Sequence, residues 1–108
     1  MTMIEQLKEY IVKNGLHDRA IEDFWRAFNN WKNDNPEGYG RSLAQITPEE
    51  LNLFVDTIGL RASQWPECDY SHVTITVLVY HGDRQLGRYV DWFALSDDDD
   101  DDDFLEIG

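Results

Sequence analysis

The stretch that decides the fold is Ser71-His72-Val73-Thr74-Ile75-Thr76-Val77-Leu78-Val79-Tyr80-His81-Gly82-Asp83. Every second residue from Val73 to Val79 is a branched apolar residue, and this period of two predicts a β-strand with one buried face. Gly82-Asp83 then predicts a hairpin turn with glycine first, as a type II′ turn requires. The second strand of the hairpin therefore begins directly after Asp83.

A two-residue turn also predicts which residues face each other across the hairpin. The apolar face of the first strand meets residues of the second in four pairs: Val79 with Leu86, Val77 with Arg88, Ile75 with Val90, and Val73 with Trp92. Arg88 is then the polar exception, and it either extends to solvent at the sheet edge or pairs with a buried carboxylate or an anionic ligand. A bulge at Gly87 would turn Arg88 outward but would direct Asp91 inward, so we expect the regular register.

Helices are predicted before this hairpin. Thr2 and Glu5 form a capping box, and the helix that follows carries one apolar face and ends at Asn14-Gly15. That face comprises Ile4, Leu7, Tyr10 and Ile11. Asp18 is predicted to cap a second helix with a wide apolar stripe, which at helical spacing is more typical of a core than of a ligand site. The stripe comprises Ile21, Phe24, Trp25, Phe28 and Trp31.

The middle of the chain predicts a loop and a third helix. Residues 33–40 are rich in Asn, Gly and Pro and are expected to form a surface loop. Thr47-Pro48-Glu49-Glu50 combines a cap with a proline at the first helical position, which predicts a helix through Ile58 that Gly59 ends. Near the C-terminal end, residues 104–107 are apolar enough for a short third strand paired with residues 92–95.

These elements predict a single α+β domain over residues 1–108. About three N-terminal helices pack on a C-terminal antiparallel meander, which has two long strands in a hairpin and a short third strand. An acidic segment at 97–103 is expected to form a loop held at both ends by the sheet.

Charge narrows the classes of function. The chain has 108 residues and a net charge of −13, and seven of its acidic residues are consecutive, so neutralising that run alone would leave −6. Such acidity opposes direct binding to nucleic acid or to an anionic membrane surface. Cys68 is the single cysteine, so no internal disulfide is possible. The absence of a secretory signal pattern and of a long apolar run predicts a cytoplasmic protein.

No pattern in the sequence indicates a catalytic centre, a metal or a cofactor. His17, His72 and His81 lack the spacing of a zinc site and are expected to be ordinary surface or capping residues. Cys68 with His72 is a conceivable nucleophile and base, but a buried or incidental thiol is the simpler interpretation. The aspartate run lacks the spacing of a calcium loop and predicts only weak, nonspecific cation binding.

The functional prediction is a small acidic, non-catalytic protein that docks on a basic protein and neutralises it, in the manner of an immunity protein or an inhibitor of a toxin or nuclease. The expected partner-binding residues are Asp97, Asp98, Asp99, Asp100, Asp101, Asp102, Asp103 and Asp91. Three alternatives stay open: a run that only forms a solvated loop, a regulatory or structural interaction module, and a small hydrolase that uses carboxylates and a histidine.

Overall fold

The computed structural model describes residues 2–43, 46–63, 70–95 and 101–107. Within these ranges the chain is α+β, as the sequence predicts. Its helices are α1 (Met3–Lys13), α2 (Leu16–Asp34) and α3 (Pro36–Leu43), followed by a 3₁₀ turn at Pro48–Glu50. Its strands are β1 (Asn52–Ser63), β2 (Tyr70–His81), β3 (Arg84–Ala94) and β4 (Asp102–Ile107). No helix in these ranges is long and apolar enough to cross a membrane.

The four strands form one antiparallel sheet in the order β1-β2-β3-β4. Apolar residues of β2 and β3 pack with those of the helices in a single core. Phe24 and Phe28 of α2 are fully buried there, so the aromatic stripe is core, as predicted. On the opposite face of the sheet, Phe54 is 56% exposed and Phe104 is 47% exposed, whereas the helices lie on the face that carries the core.

The predicted β2–β3 hairpin is present, but its predicted register is wrong. Gly82 has a φ of 61°, a value that favours glycine in a tight turn. A bulge then shifts the pairing: Tyr80 faces Gln85 and Val79 faces Gly87, which leaves Leu86 as the extra residue on β3. Beyond the bulge the alternation of β3 is inverted relative to the regular register.

This inversion exchanges the faces on which Arg88 and Asp91 of β3 lie. Arg88 is exposed and lies 3.8 Å from Glu106 on β4, so the prediction of Arg88 on the apolar face is wrong. Asp91 is buried instead, opposite Ile75 of β2. Ile75 was predicted to face Val90 but faces Asp91. Val73 was predicted to face Trp92 but faces Phe93.

The predicted third helix at Thr47–Ile58 is wrong, because β1 occupies most of this segment. The local capping signals produce only the 3₁₀ turn at Pro48–Glu50. From Asn52 the chain pairs with β2 along its whole length, with one irregularity at Asp56. The apolar residues of this segment fit the period of a strand as well as that of a helix. Hydrogen bonds to β2 and packing of Leu53 and Val55 against the core stabilise the strand more than a helix would be stabilised.

Two boundaries in the helical part also differ from prediction. Helix α2 begins at Leu16 rather than after Asp18, because Gly15 has a φ of 62° and reverses the chain between α1 and α2. The loop predicted at 33–40 is wrong, since α3 begins at Pro36 within it. The Asn35 side chain accepts a hydrogen bond from the Gly38 N–H at 3.1 Å, which is the geometry of an N-cap followed by proline at the first helical position.

The predicted strand at the C-terminal end is confirmed as β4, with a different register. It pairs with residues 87–92 of β3 rather than with residues 92–95. Asp102 and Asp103, the last residues of the aspartate run, belong to β4 itself, while residues 97–100 lie outside the described residues. Asp103 therefore faces Asp91 across the sheet.

Candidate functional site

Asp91 is the buried polar residue around which the site is built. Its side chain is directed to the helix-covered face by the bulge in β3, and it is only 3% exposed. Among the described residues, no group forms a hydrogen bond with its Oδ2 atom. Buried polar atoms are nearly always hydrogen-bonded, because an unpaired one loses its hydration without compensation. An unpaired carboxyl oxygen in this position is therefore a departure from the rest of the core.

Asp23 on α2 and Asp91 on β3 line one cleft, and their carboxyl groups are close enough to share a hydrogen bond. Two carboxyl groups can form such a bond only when one of them carries a proton. Burial first, then the bond to Asp23 and the charges of Asp23, Asp103 and Asp101, raise the pKa of Asp91 to about 8. The buried pair therefore favours one shared proton over two carboxylates.

Tyr89 fixes a third carboxyl of the cluster. Its hydroxyl donates to Asp103 Oδ2 at 2.8 Å, and its ring is fully buried against Phe24. Burial first, and then the bond to Asp103 and the surrounding carboxylates, raise the pKa of Tyr89 far above its usual range. The phenol thus keeps its proton and remains a donor to Asp103.

Asp101 is held at the beginning of β4 by two donors. The Ala94 N–H donates to Asp101 Oδ1 at 2.7 Å, and Arg19 of α2 lies 3.4 Å from Asp101 Oδ2. The Arg19 guanidinium also lies 5.0 Å from the centre of the Phe93 ring. Farther along α2, Arg26 pairs with Asp23. These contacts place the end of the aspartate run against α2.

The side chains around Asp91 line an open cleft of about 520 Å³ between α2 and the β3–β4 edge. In the described part of the chain, its lining contains six carboxyl side chains and two guanidinium groups. These are Arg19, Glu22, Asp23, Arg26, Asp91, Asp101, Asp102 and Asp103. Even with Asp91 protonated, the cleft retains an excess of negative charge, which attracts and orients cations.

The arrangement of these carboxyl groups does not form a metal centre. Within the described ranges there is no group of three or more His, Cys, Asp or Glu side chains placed to hold a metal ion. The three histidines do not line the cleft, and His81 Nε2 instead lies 3.1 Å from Glu50 Oε2.

Comparison with known proteins adds no assignment. No protein-family model matches this chain, and no curated protein or solved structure matches it.

The structure brings together half of the residues that the sequence singled out for partner binding. Asp101, Asp102, Asp103 and Asp91 all line the cleft, while residues 97–100 lie outside the described residues. Asp91 does so as a buried group, whereas the regular hairpin register places it on the outer face. Cys68 also lies outside the described residues, so its proposed pairing with His72 is not addressed.

Sequence reasoning missed the contribution of α2 to the site. Arg19, Glu22, Asp23 and Arg26 recur at the i, i+3, i+4, i+7 spacing of one helix face and together form one wall of the cleft. This polar stripe beside the aromatic stripe was the available signal. The sequence does not show that this polar stripe faces Asp91, because that contact depends on the bulge in β3.

Proposed function

We propose that this chain is a small acidic, non-catalytic binding protein that docks on a basic protein through the cleft between α2 and the β3–β4 edge. The basic partner would be a toxin or nuclease that the protein neutralises, as immunity proteins and inhibitors do. The observation that carries this proposal is the convergence of six carboxyl side chains from α2, β3 and β4 on one cleft.

For selection of a partner, the placement of these carboxyl side chains in one cleft matters more than the net charge. A net charge of −13 keeps a protein soluble without selecting a partner. Carboxylates held by specific donors, as Asp101 is by Ala94 and Arg19 and Asp103 is by Tyr89, present their oxygens at fixed positions. Fixed complementary charge accelerates association with a cationic surface and determines the orientation of docking.

The proposal is tested by comparing two variants with the same net charge. The cleft variant carries Glu22→Gln, Asp101→Asn and Asp102→Asn, and the control carries Glu9→Gln, Glu37→Gln and Glu49→Gln, three exposed residues that do not line the cleft. Each changes the net charge by the same amount. Any difference in binding between them therefore reports the position of the charge.

Each protein is immobilised and exposed to a lysate of its native host at about 50 mM and about 500 mM salt, a range over which exposed charge pairs become screened. We expect a basic protein to be retained at low salt by the wild type and by the control, and to be lost from the cleft variant. Equal retention by both variants, or no retained basic protein at all, would overturn the proposal. Retention that is abolished by Phe54→Ser but not by the cleft variant would place binding on the other face of the sheet and would also overturn it.

A further inference from the structure

The unpaired oxygen of Asp91 indicates what the cleft is built to receive. Asp91 Oδ2 is buried and lacks a hydrogen-bond partner among the described residues, although the side chain lines an open cleft. Asp91 shares a proton with Asp23, and Tyr89 donates to Asp103, so Asp91 Oδ2 still needs a donor, which can enter from the cleft. A ligand that brings positively charged N–H groups would meet this need.

We propose that the cleft receives the guanidinium group of an arginine side chain of the basic partner, which binds the buried Asp91 carboxyl. This inference rests on the proposed function and identifies the chemical group that the site recognises. When the guanidinium binds a protonated Asp91, the O–H bond of the Asp91 carboxyl breaks and the proton passes to solvent buffer. The resulting carboxylate accepts hydrogen bonds from the guanidinium. No other bond changes.

Guanidinium fits the geometry better than ammonium does. It is planar and carries five donors in a fixed fork, so it can bond to carboxylates on different elements at the same time. The candidate acceptors come from three elements: Asp23 on α2, Asp91 on β3 and Asp103 on β4. Arg26 and Arg19 already pair with Asp23 and Asp101, which shows that guanidinium groups fit against both walls of this cleft.

The groups around Asp91 give the proton release its direction. The cleft presents Arg19, Glu22, Asp23 and Arg26 from α2, Tyr89 beside Asp91 on β3, and Asp101, Asp102 and Asp103 from the β4 side, while β2 contributes the apolar Ile75. Burial first, and then the carboxylates in this set, favour a protonated Asp91 when no ligand occupies the cleft. An entering cation cancels that repulsion and lowers the affinity of Asp91 for its proton.

Calorimetry with an acetylated, amidated hexa-arginine peptide tests the proposal on the whole chain. Titrations at about pH 7 in phosphate and in Tris, which differ in ionisation enthalpy, report the protons released on binding. A group with a pKa of about 8 is roughly 90% protonated at pH 7, so up to about 0.9 proton per bound peptide is expected. The affinity should rise up to about tenfold per pH unit between about pH 6 and 7.5 and level off above about pH 8.5.

The isosteric variant Asp91→Asn separates this inference from general charge attraction. It should bind the peptide about tenfold more weakly at pH 8, release no proton and show no rise in affinity with pH, because one charge-assisted bond is lost. Glu9→Gln, which removes a charge outside the cleft, should retain both the proton release and the affinity to within about twofold. Hexa-lysine should bind more weakly than hexa-arginine, and equal binding with equal proton release would overturn the choice of guanidinium.

The outcomes distinguish this inference from the proposed function. Binding of hexa-arginine that is equal in the wild type and in Asp91→Asn, without proton release, but weakened by neutralising Glu22, Asp101 and Asp102, would overturn the inference and leave the docking surface in place. Binding that responds to neither variant would overturn both.

Discussion

The wild-type protein should lose stability as the pH rises. We expect the substitution Asp91→Asn to abolish this loss. In the folded protein Asp91 keeps its proton up to a pKa of about 8, whereas in the unfolded chain it ionises near pH 3.8. Between these values the unfolded state binds fewer protons than the folded state, so raising the pH favours unfolding. Asparagine cannot ionise, yet its amide N–H can still donate to Asp23.

The size of the effect follows from the width of this interval. Each pH unit in which only the folded state holds the proton lowers the free energy of unfolding by about 1.4 kcal/mol. Between about pH 5.5 and 7.5 the wild type should therefore lose roughly 3 kcal/mol relative to Asp91→Asn. The full loss above pH 8 approaches about 6 kcal/mol if Asp91 alone titrates, and sharing of the proton with Asp23 reduces it. Total stabilities of about 5–15 kcal/mol are usual, so the effect is large.

Urea unfolding followed by tryptophan fluorescence provides the measurement, since Trp25 and Trp31 pack against the core. Both proteins are unfolded at about pH 5.5, 6.5 and 7.5 at constant ionic strength. The histidines are present in both, so their titration cancels in the difference. We expect the variant to gain roughly 3 kcal/mol of stability relative to the wild type between pH 5.5 and pH 7.5. A difference that stays constant across the three pH values would refute the assignment of a buried, protonated Asp91.

Two further predictions concern the elements that form the cleft. Tyr89→Phe removes the donor to Asp103 and should lower the free energy of unfolding by about 1–3 kcal/mol; a loss below about 0.5 kcal/mol in urea unfolding would contradict a structural role for this bond. Gly87→Ala should destabilise the β3–β4 pairing by more than about 1 kcal/mol, because its Cβ would lie 2.1 Å from the Glu106 carbonyl oxygen. Gly40→Ala in α3, where an added Cβ would meet open space, should instead raise stability by about 0.5–1 kcal/mol, and equal effects of the two alanines in urea unfolding would contradict the close approach at Gly87.

Local sequence patterns correctly predicted those elements for which the apolar period and the turn residues indicate the same structure. The alternation from Val73 to Val79 and the glycine at position 82 both indicate a hairpin, and the structure has one there. Phe24 and Phe28 recur at helical spacing and are buried in α2. In these segments, period and turn chemistry favour the same structure, so little information from distant residues is needed.

The segment after Thr47 was mispredicted because its signals disagree. Its cap and proline favour a helix, but the Leu, Phe, Val and Ile that follow also suit a strand. Pairing with β2, whose sequence lies about 20 residues later, decides between the two. A local pattern contains no information on that partner, and the capping residues retain only a 3₁₀ turn.

The candidate site was missed for a related reason. A bulge in β3 looked unfavourable because it buries Asp91, and the compensating group, Asp23, is far away in sequence on α2. The shared proton makes the buried carboxyl tolerable, and it arises from the contact of two elements rather than from either pattern alone. The acidic run at 97–103 was singled out from composition, whereas the placement of Asp101, Asp102 and Asp103 against α2 follows only from the fold.

The bulge at Leu86 places Arg88 on the outer face of the sheet and Asp91 on the face that carries the core. A regular register would keep Asp91 in solvent and avoid an unpaired oxygen in the core, and an apolar residue at this position would pack there without a pKa shift. The observed register instead holds a protonated carboxyl beside Asp23 and Asp103, at the bottom of an open acidic cleft. Departures from local folding rules concentrate at functional sites, where the lost stability is recovered when a ligand binds. Under the proposed function, a cation that pairs with Asp91 would supply that recovery, because it would provide the donor that Oδ2 lacks among the described residues.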